Sequence, residues 1–296
     1  MHIFITGGTG LIGRAFIKAH PNDQFTCLVR HQSRRDLGEH CQYIESLDAL
    51  TELNTFDGVL NLAGEPIIDK RWTNARKSQL CQSRWGITAS LVKLIQASQS
   101  PPAWFLSGSA IGRYTPTELA LDEDATTDIQ ATQNFPQQLC QRWEAEALNA
   151  ETSTRVVLLR TGVVLATQGG ALKKMLPAFR MGLGGPIGKG QQMMSWIDLT
   201  DMVRAIDFLI SHNECRGAIN MTAPTATSNA TLSQHLGKIL RRPTFLAVPT
   251  FVMRTLLGEA SQLLLDSQTI SPKRLLNAGF EFNYPDIEQC LKHQLG

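Results

Sequence analysis

Thr6-Gly7-Gly8-Thr9-Gly10-Leu11-Ile12-Gly13 follows the apolar run His2-Ile3-Phe4-Ile5 and opens a stretch with helical spacing of apolar residues, 11–19. Each glycine has a distinct job in a strand–turn–helix of this kind. Gly7 permits the tight turn, Gly10 lets the backbone approach a ligand, and Gly13 allows the helix to pack closely on the strand. The free N–H groups of the first helical residues, Leu11 and Ile12, then lie at the positive end of a helix dipole, where a pyrophosphate is stabilised. A glycine triplet alone is a weak signal. The strand before it and the helix after it make it a dinucleotide-binding turn.

About 20 residues beyond such a turn, an acidic side chain takes the ribose hydroxyls of NAD. The sequence there reads Val29-Arg30-His31, with Arg34 and Arg35 close behind. A guanidinium complements a 2′-phosphate by charge and by its planar fork of donors, so the expected cofactor is NADP(H) rather than NAD(H). Short apolar runs at 2–6, 25–30, 58–62, 103–107 and 155–159 alternate with helical patterns at 11–19, 74–99 and 133–150. That alternation predicts a doubly wound α/β domain of Rossmann type, its parallel strands covered on both faces. The polar stretch 31–56 predicts an abbreviated sheet on that side. We expect a dinucleotide-binding domain over 1–166 and a smaller substrate-binding region over 167–296, with part of 195–224 returning to the sheet. Helices are expected at 202–211, capped from Asp198-Leu-Thr-Asp201, and at 228–240, 250–265 and 285–294.

The 296 residues are 43% hydrophobic and 18% charged, an ordinary globular balance. A formal net charge of +2 gives no bulk electrostatic case for nucleic acid or a membrane surface. No apolar run approaches the ~18 residues of a membrane span, and the N-terminus lacks the basic region of a signal peptide. The six cysteines, Cys27, Cys41, Cys81, Cys140, Cys215 and Cys290, and the seven histidines show no metal-type spacing. They suit free thiols in a reducing cytoplasm.

Further motifs carry a specific resemblance. Asn61-Leu-Ala-Gly-Glu-Pro-Ile67, Lys70-Arg-Trp-Thr73, Ser83-Arg-Trp-Gly-Ile-Thr88 and Ser107-Gly-Ser-Ala-Ile-Gly-Arg-Tyr114 stand in the first half. Arg142-Trp-Glu-Ala-Glu-Ala147, the run RTGVVLATQGGAL from Arg160, LGGPIGKGQQMMSWIDLTDMV from Leu183, NMTAPT from Asn220 and LLNAGFEFNYP from Leu275 follow. Together they resemble an atypical branch of the short-chain dehydrogenase/reductase superfamily. This is the uncharacterised group of NAD-dependent epimerase/dehydratase-like proteins, some labelled cell-division-inhibitor-like. The likeness spans essentially the whole chain. It implies an extended-type fold, with Val29 and Arg30 by the adenosine phosphate, Leu62, Ala63 and Gly64 crossing the cofactor, and Arg84 and Val164 facing it.

In that superfamily a Ser, a Tyr and a Lys work together at the substrate oxygen. Ser109 stands where the serine belongs, after the fifth strand. The Tyr-x-x-x-Lys helix is replaced by Phe135-Pro-Gln-Gln-Leu-Cys-Gln-Arg-Trp-Glu144, and no tyrosine lies between Tyr114 and Tyr284. Tyr114 matches a tyrosine that lines the substrate pocket in extended members, and Ser109 and Tyr114 are the candidate catalytic residues. With no lysine beside it, Tyr114 is expected to keep a pKa of about 10. Glu65 is a candidate for the nicotinamide pocket, Glu144 for a pairing with a nearby cation, and Lys189, Gln191 and Gln192 for an anionic substrate. Two functions follow. One is an NADP(H)-dependent reductase or epimerase-like enzyme on a small carbonyl or sugar-like substrate. The other is a catalytically silent NADPH-binding sensor or partner-binding protein. Neither nucleic acid nor a membrane is an expected partner, and by analogy the helices at 74–99 and 133–150 are candidates for a homodimer interface.

Overall fold

A computed structural model describes residues 1–30, 36–117, 119–125 and 134–296. Arg34 and Arg35 lie outside the described residues. The first half runs β1 (His2–Thr6), α1 (Leu11–Ala19), β2 (Gln24–Leu28), β3 (Cys41–Ile44), β4 (Gly58–Asn61), α2 (Asn74–Ala97), β5 (Trp104–Ala110), β6 (Ala120–Leu121), α3 (Phe135–Leu148) and β7 (Arg155–Thr161). The second half runs β8 (Val163–Leu165), α4 (Gly170–Arg180), β9 (Met193–Met194), β10 (Trp196–Asp198), α5 (Leu199–Ser211), β11 (Gly217–Met221), β12 (Thr227–Ser228) and α6 (Asn229–Leu240). The chain ends with α7 (Thr250–Leu257), α8 (Gln262–Leu265), β13 (Thr269–Ile270), α9 (Lys273–Asn277) and α10 (Ile287–Leu295).

Seven strands form one parallel sheet in the order β11-β7-β5-β4-β1-β2-β3. The order reverses beside β1, which places the glycine turn at the switch point where α/β sheets bind ligands. One face buries Ile3, Ile5, Phe16, Leu106, Leu159 and Ile206 beneath α1 and α5. The other buries Phe4, Val59, Leu91, Phe105, Val156 and Leu158 beneath α2 and α3. Burial on both faces explains why these strands read as continuous apolar runs.

Local chemistry sets the helix starts. Thr73 caps α2 by accepting from the Arg76 N–H, and Asn134 and Gln137 form a capping box at α3. Asp198 accepts from the Thr200 N–H at 2.7 Å, so α5 begins at Leu199, three residues earlier than its apolar spacing predicts.

Beyond β2 the sheet continues only as the four-residue edge strand Cys41–Ile44, paired in parallel with β2; being short and half-covered, it carries little apolar signal. Two expectations need correction. The expected strand 25–30 ends at Leu28, leaving Val29 and Arg30 on the loop beyond it. The expected helix 250–265 is two helices, interrupted at Gly258, whose φ of 60° breaks the helical path.

Past β7 the chain builds a second core around Trp196, with Leu172, Leu176, Phe179, Leu232, Leu236 and Leu291. β11 lies within 195–224 and pairs with β7 at the edge of the main sheet. A third cluster, Trp72, Leu80 and Ala260 with Leu257 and Leu263, fastens α7 and α8 to the segment after β4.

Candidate cofactor cleft and active site

The glycine turn fits tightly against the end of β4. Gly7 has φ +71°, and a Cβ there would sit 2.5 Å from the Leu62 carbonyl oxygen. A Cβ on Gly13 would sit 2.5 Å from the Gly7 carbonyl, and one on Gly10 would sit 3.1 Å from it. Gly13 therefore excludes a side chain by close approach rather than by backbone angle, and one at Gly10 would need the Gly7 carbonyl to give by a few tenths of an ångström. The first turn of α1 carries no acidic residue, and neither does that of α4. The two helix starts meet across Leu11, whose Cδ1 lies 3.0 Å from where a Gly169 Cβ would be. Gly170 packs in the same way against the Val164 carbonyl, at 3.2 Å. Two acid-free helix N-termini thus lie near each other about Leu11, with Val164 beside the second, and an acid-free helix start favours an anion.

Beside the turn, Thr6, Asn61 and Ser107 stand in register across β1, β4 and β5. The Thr6 hydroxyl donates to Asn61 Oδ1 at 2.6 Å and accepts from the Ala63 N–H at 3.2 Å. Asn61 Nδ2 donates to Thr88 and Ser107. This buried row fixes the path of Leu62-Ala63-Gly64 over the end of the sheet. Gly64 in turn leaves room for Arg84, whose guanidinium lies 3.1 Å from a Cβ placed there and donates to the Glu65 carbonyl at 3.0 Å.

Arg30 is 71% exposed at the open side of this path and donates to Glu65 Oε1. Glu65 Oε2 accepts from Arg76 at 3.2 Å. Hydrogen bonds from Arg30, helped by Arg76, hold the Glu65 carboxyl below its ordinary range. Glu65 is thus tied to Arg30 and Arg76, two partners far from it in sequence.

Ser109, Arg160 and Asn220 form a second row in register across β5, β7 and β11. Ser109 donates to Glu144 Oε1 at 2.7 Å. Arg160 donates Nε to Glu144 Oε1 at 2.8 Å and Nη2 to Oε2 at 2.9 Å, while its Nη1 reaches the Tyr114 hydroxyl at 2.9 Å. Tyr114 in turn donates to Asn220 Oδ1 at 2.7 Å. All five side chains are buried, Tyr114 to 1% exposure. Burial raises the Tyr114 pKa above its ordinary value, which corrects the expectation that it stays there; a phenol so held is a weaker acid and is still more rarely ionised at neutral pH.

Cys140 and Glu144 sit four apart on α3, the spacing of the missing Tyr-x-x-x-Lys. Cys140 is buried, with its pKa pushed up to about 12 by desolvation. Glu144 takes Arg160 as its ion-pair partner. Arg160 escaped the sequence reading because nothing local ties a strand arginine to a helix glutamate. Of the residues expected to meet an anionic substrate, Gln192 is tied to the Leu264 carbonyl, and Lys189 and Gln191 are exposed. Among the described residues no His/Cys/Asp/Glu group could hold a metal, and no helix is long and apolar enough to cross a membrane.

Comparison with known proteins accords with this architecture. The NAD dependent epimerase/dehydratase family matches residues 3–221, and a domain of unknown function, DUF1731, matches 248–294. An epimerase family protein of Mycobacterium leprae is 37% identical over 98% of this chain and 94% of its own. A chloroplastic SDR39U1 homologue of Arabidopsis thaliana, also an epimerase family protein, is 34% identical over 99% of this chain and 86% of its own. Human epimerase family protein SDR39U1, solved with NADPH, superposes with a TM-score of 0.91 at 32% identity, covering 100% of this chain and 99% of that one. With a matching family model over most of its length and relatives alike from end to end, this chain belongs to the NAD dependent epimerase/dehydratase family.

Proposed function

We propose that this protein binds NADPH and that its conventional acid/base machinery has become a buried structural network, making it a cofactor-responsive binding protein. For the cofactor we assign Gly7, Gly10, Leu11, Ile12 and Gly13 to the pyrophosphate, Val29 and Arg30 to the adenosine end, and Leu62, Ala63, Gly64, Arg84 and Val164 to the walls of the cleft. The fit rests on the spaces that added Cβ atoms would fill, the acid-free helix starts and the exposed guanidinium of Arg30. NADPH supplies hydride chemistry when bound. The observation that carries the silent reading is the closed Ser109–Glu144–Arg160–Tyr114–Asn220 chain. Its serine proton goes to Glu144, and its phenol is buried between Arg160 and Asn220.

One observation favours a second reading, that of a reductase or epimerase-like enzyme on a small carbonyl or sugar-like substrate. Because Ser109 donates to Glu144, its lone pairs stay free to accept from a substrate hydroxyl at the end of β5. An NADPH-oxidation screen over aldehydes, ketones, quinones and nucleotide sugars separates the two. The silent reading expects tight NADPH binding without substrate-dependent turnover. Turnover that falls at least tenfold in Ser109→Ala or Tyr114→Phe would replace it with the enzyme reading.

A further inference from the structure

Nine large apolar side chains stand exposed among the described residues, and six of them fall on two adjoining segments. Met181 and Leu183 end α4, and Phe245, Leu246, Phe251 and Leu256 belong to the loop before α7 and to α7 itself. The segments run side by side. Gly188 N–H donates to the Val248 carbonyl and Val248 N–H to the Pro186 carbonyl, both at 2.8 Å, and Gly185 leaves no room for a Cβ against the Leu246 carbonyl. Met181 is 67% exposed and Phe245 77%, and α7 buries none of its own residues. The fold leaves a face that it does not use.

The exposed charge on these segments is mostly positive, with the carboxylates of Glu259 and Asp266 just beyond α7. No Asp or Glu occurs from 152 to 197 or from 215 to 258, while Arg180, Lys189, Arg241, Arg242 and Arg254 are exposed there. Arg254 lies within electrostatic reach of the Asp266 carboxylate. The whole-chain net charge of +2 conceals this segregation. An isologous pairing of two copies would crowd two sets of cations together with few carboxylates between them. A nucleic acid would match the cations but gives Met181, Leu183 and Leu246 no apolar phase. An anionic bilayer surface answers both features, taking apolar side chains to the depth of the acyl boundary and cations to the headgroup phosphates.

We propose that the face formed by the end of α4, the 241–249 loop and α7 docks the protein peripherally on anionic phospholipid membranes. Sedimentation with vesicles of phosphatidylglycerol and of phosphatidylcholine tests it on the full chain, with NADPH titration and thermal melting as controls for folding. Wild type is expected to bind phosphatidylglycerol vesicles, to release as salt rises, and to ignore phosphatidylcholine. Each exposed arginine contributes about fivefold in partitioning, so Arg180→Glu with Arg242→Glu weakens binding by ~25-fold or more. Phe245→Ser with Leu246→Ser abolishes binding that persists at moderate salt, while both variants melt and bind NADPH as wild type does. Three results would overturn the proposal: no sedimentation with anionic vesicles at low salt, binding indifferent to both double variants, or a dimer in sedimentation equilibrium that either variant dissociates and that leaves vesicles untouched.

Discussion

Replacing Arg160 by methionine removes the cation that neutralises Glu144 while keeping a side chain of similar length. Glu144 loses two hydrogen bonds, of 2.8 and 2.9 Å, and keeps the Ser109 donor at 2.7 Å and Arg113 at 3.5 Å. Tyr114 loses one donor and keeps its bond to Asn220. Breaking a buried pair by removing one partner costs roughly 3–5 kcal/mol. Arg113 takes up part of the exposed charge, so we set the loss at about 3 kcal/mol. At ~2–4 °C per kcal/mol for chains approaching this size, calorimetry should show Tm falling by ~6–12 °C. Replacing both partners, Glu144→Met with Arg160→Met, leaves no orphaned charge and should recover most of that loss, giving a coupling energy of a few kcal/mol. NADPH affinity, followed by titration calorimetry well below Tm, should change by less than about threefold. An Arg160→Met protein that melts within ~2 °C of wild type yet loses NADPH binding or turnover would refute the structural account of this network.

Three other perturbations probe separate parts of the molecule. Arg30→Ala should weaken NADPH by ~10–100-fold, the worth of charge-assisted hydrogen bonds to a phosphate, and leave NADH within about threefold; an equal loss for both nucleotides would remove Arg30 from the 2′-phosphate. Gly7→Ala places a methyl 2.5 Å from the Leu62 oxygen at φ +71°, so it should cost at least ~1–3 kcal/mol in backbone strain alone and lower nucleotide affinity. An unaltered melt would show that the two backbones are not in contact there. Glu123 is a buried carboxyl whose pKa desolvation raises above its ordinary 4.5. The folded state then holds a proton that the unfolded chain has already lost, so stability falls as pH rises from about 4.5 through the folded value. Glu123→Gln should flatten denaturant-derived stability across that interval, and an unchanged slope would assign the titration to another group.

The glycine turn was legible before folding because its chemistry is local. Gly7, Gly10 and Gly13 must follow a strand and open a helix within eight residues, and strand periodicity around them is strong. The edge strand at 41–44 was not legible, since a short, half-exposed strand carries no apolar run. The fate of Ser109 and Tyr114 was not legible either. Their roles turn on Glu144 and Arg160, which are 16 residues apart in sequence and joined only when α3 packs on the sheet. Glu65 follows the same logic, since its partners Arg30 and Arg76 come from different elements, the loop after β2 and the start of α2.

By itself, the amino-acid order settled the α/β alternation, the position of the glycine turn and the absence of a Tyr-x-x-x-Lys pair, because each depends on neighbours within a few residues. Tertiary packing decided which charges are satisfied and which face solvent. It buried Glu144 with Arg160, drew Glu65 to Arg30, and left large apolar side chains exposed on the adjoining segments 181–183 and 245–256. Electrostatic pairing depends on distance in space, which sequence spacing does not encode.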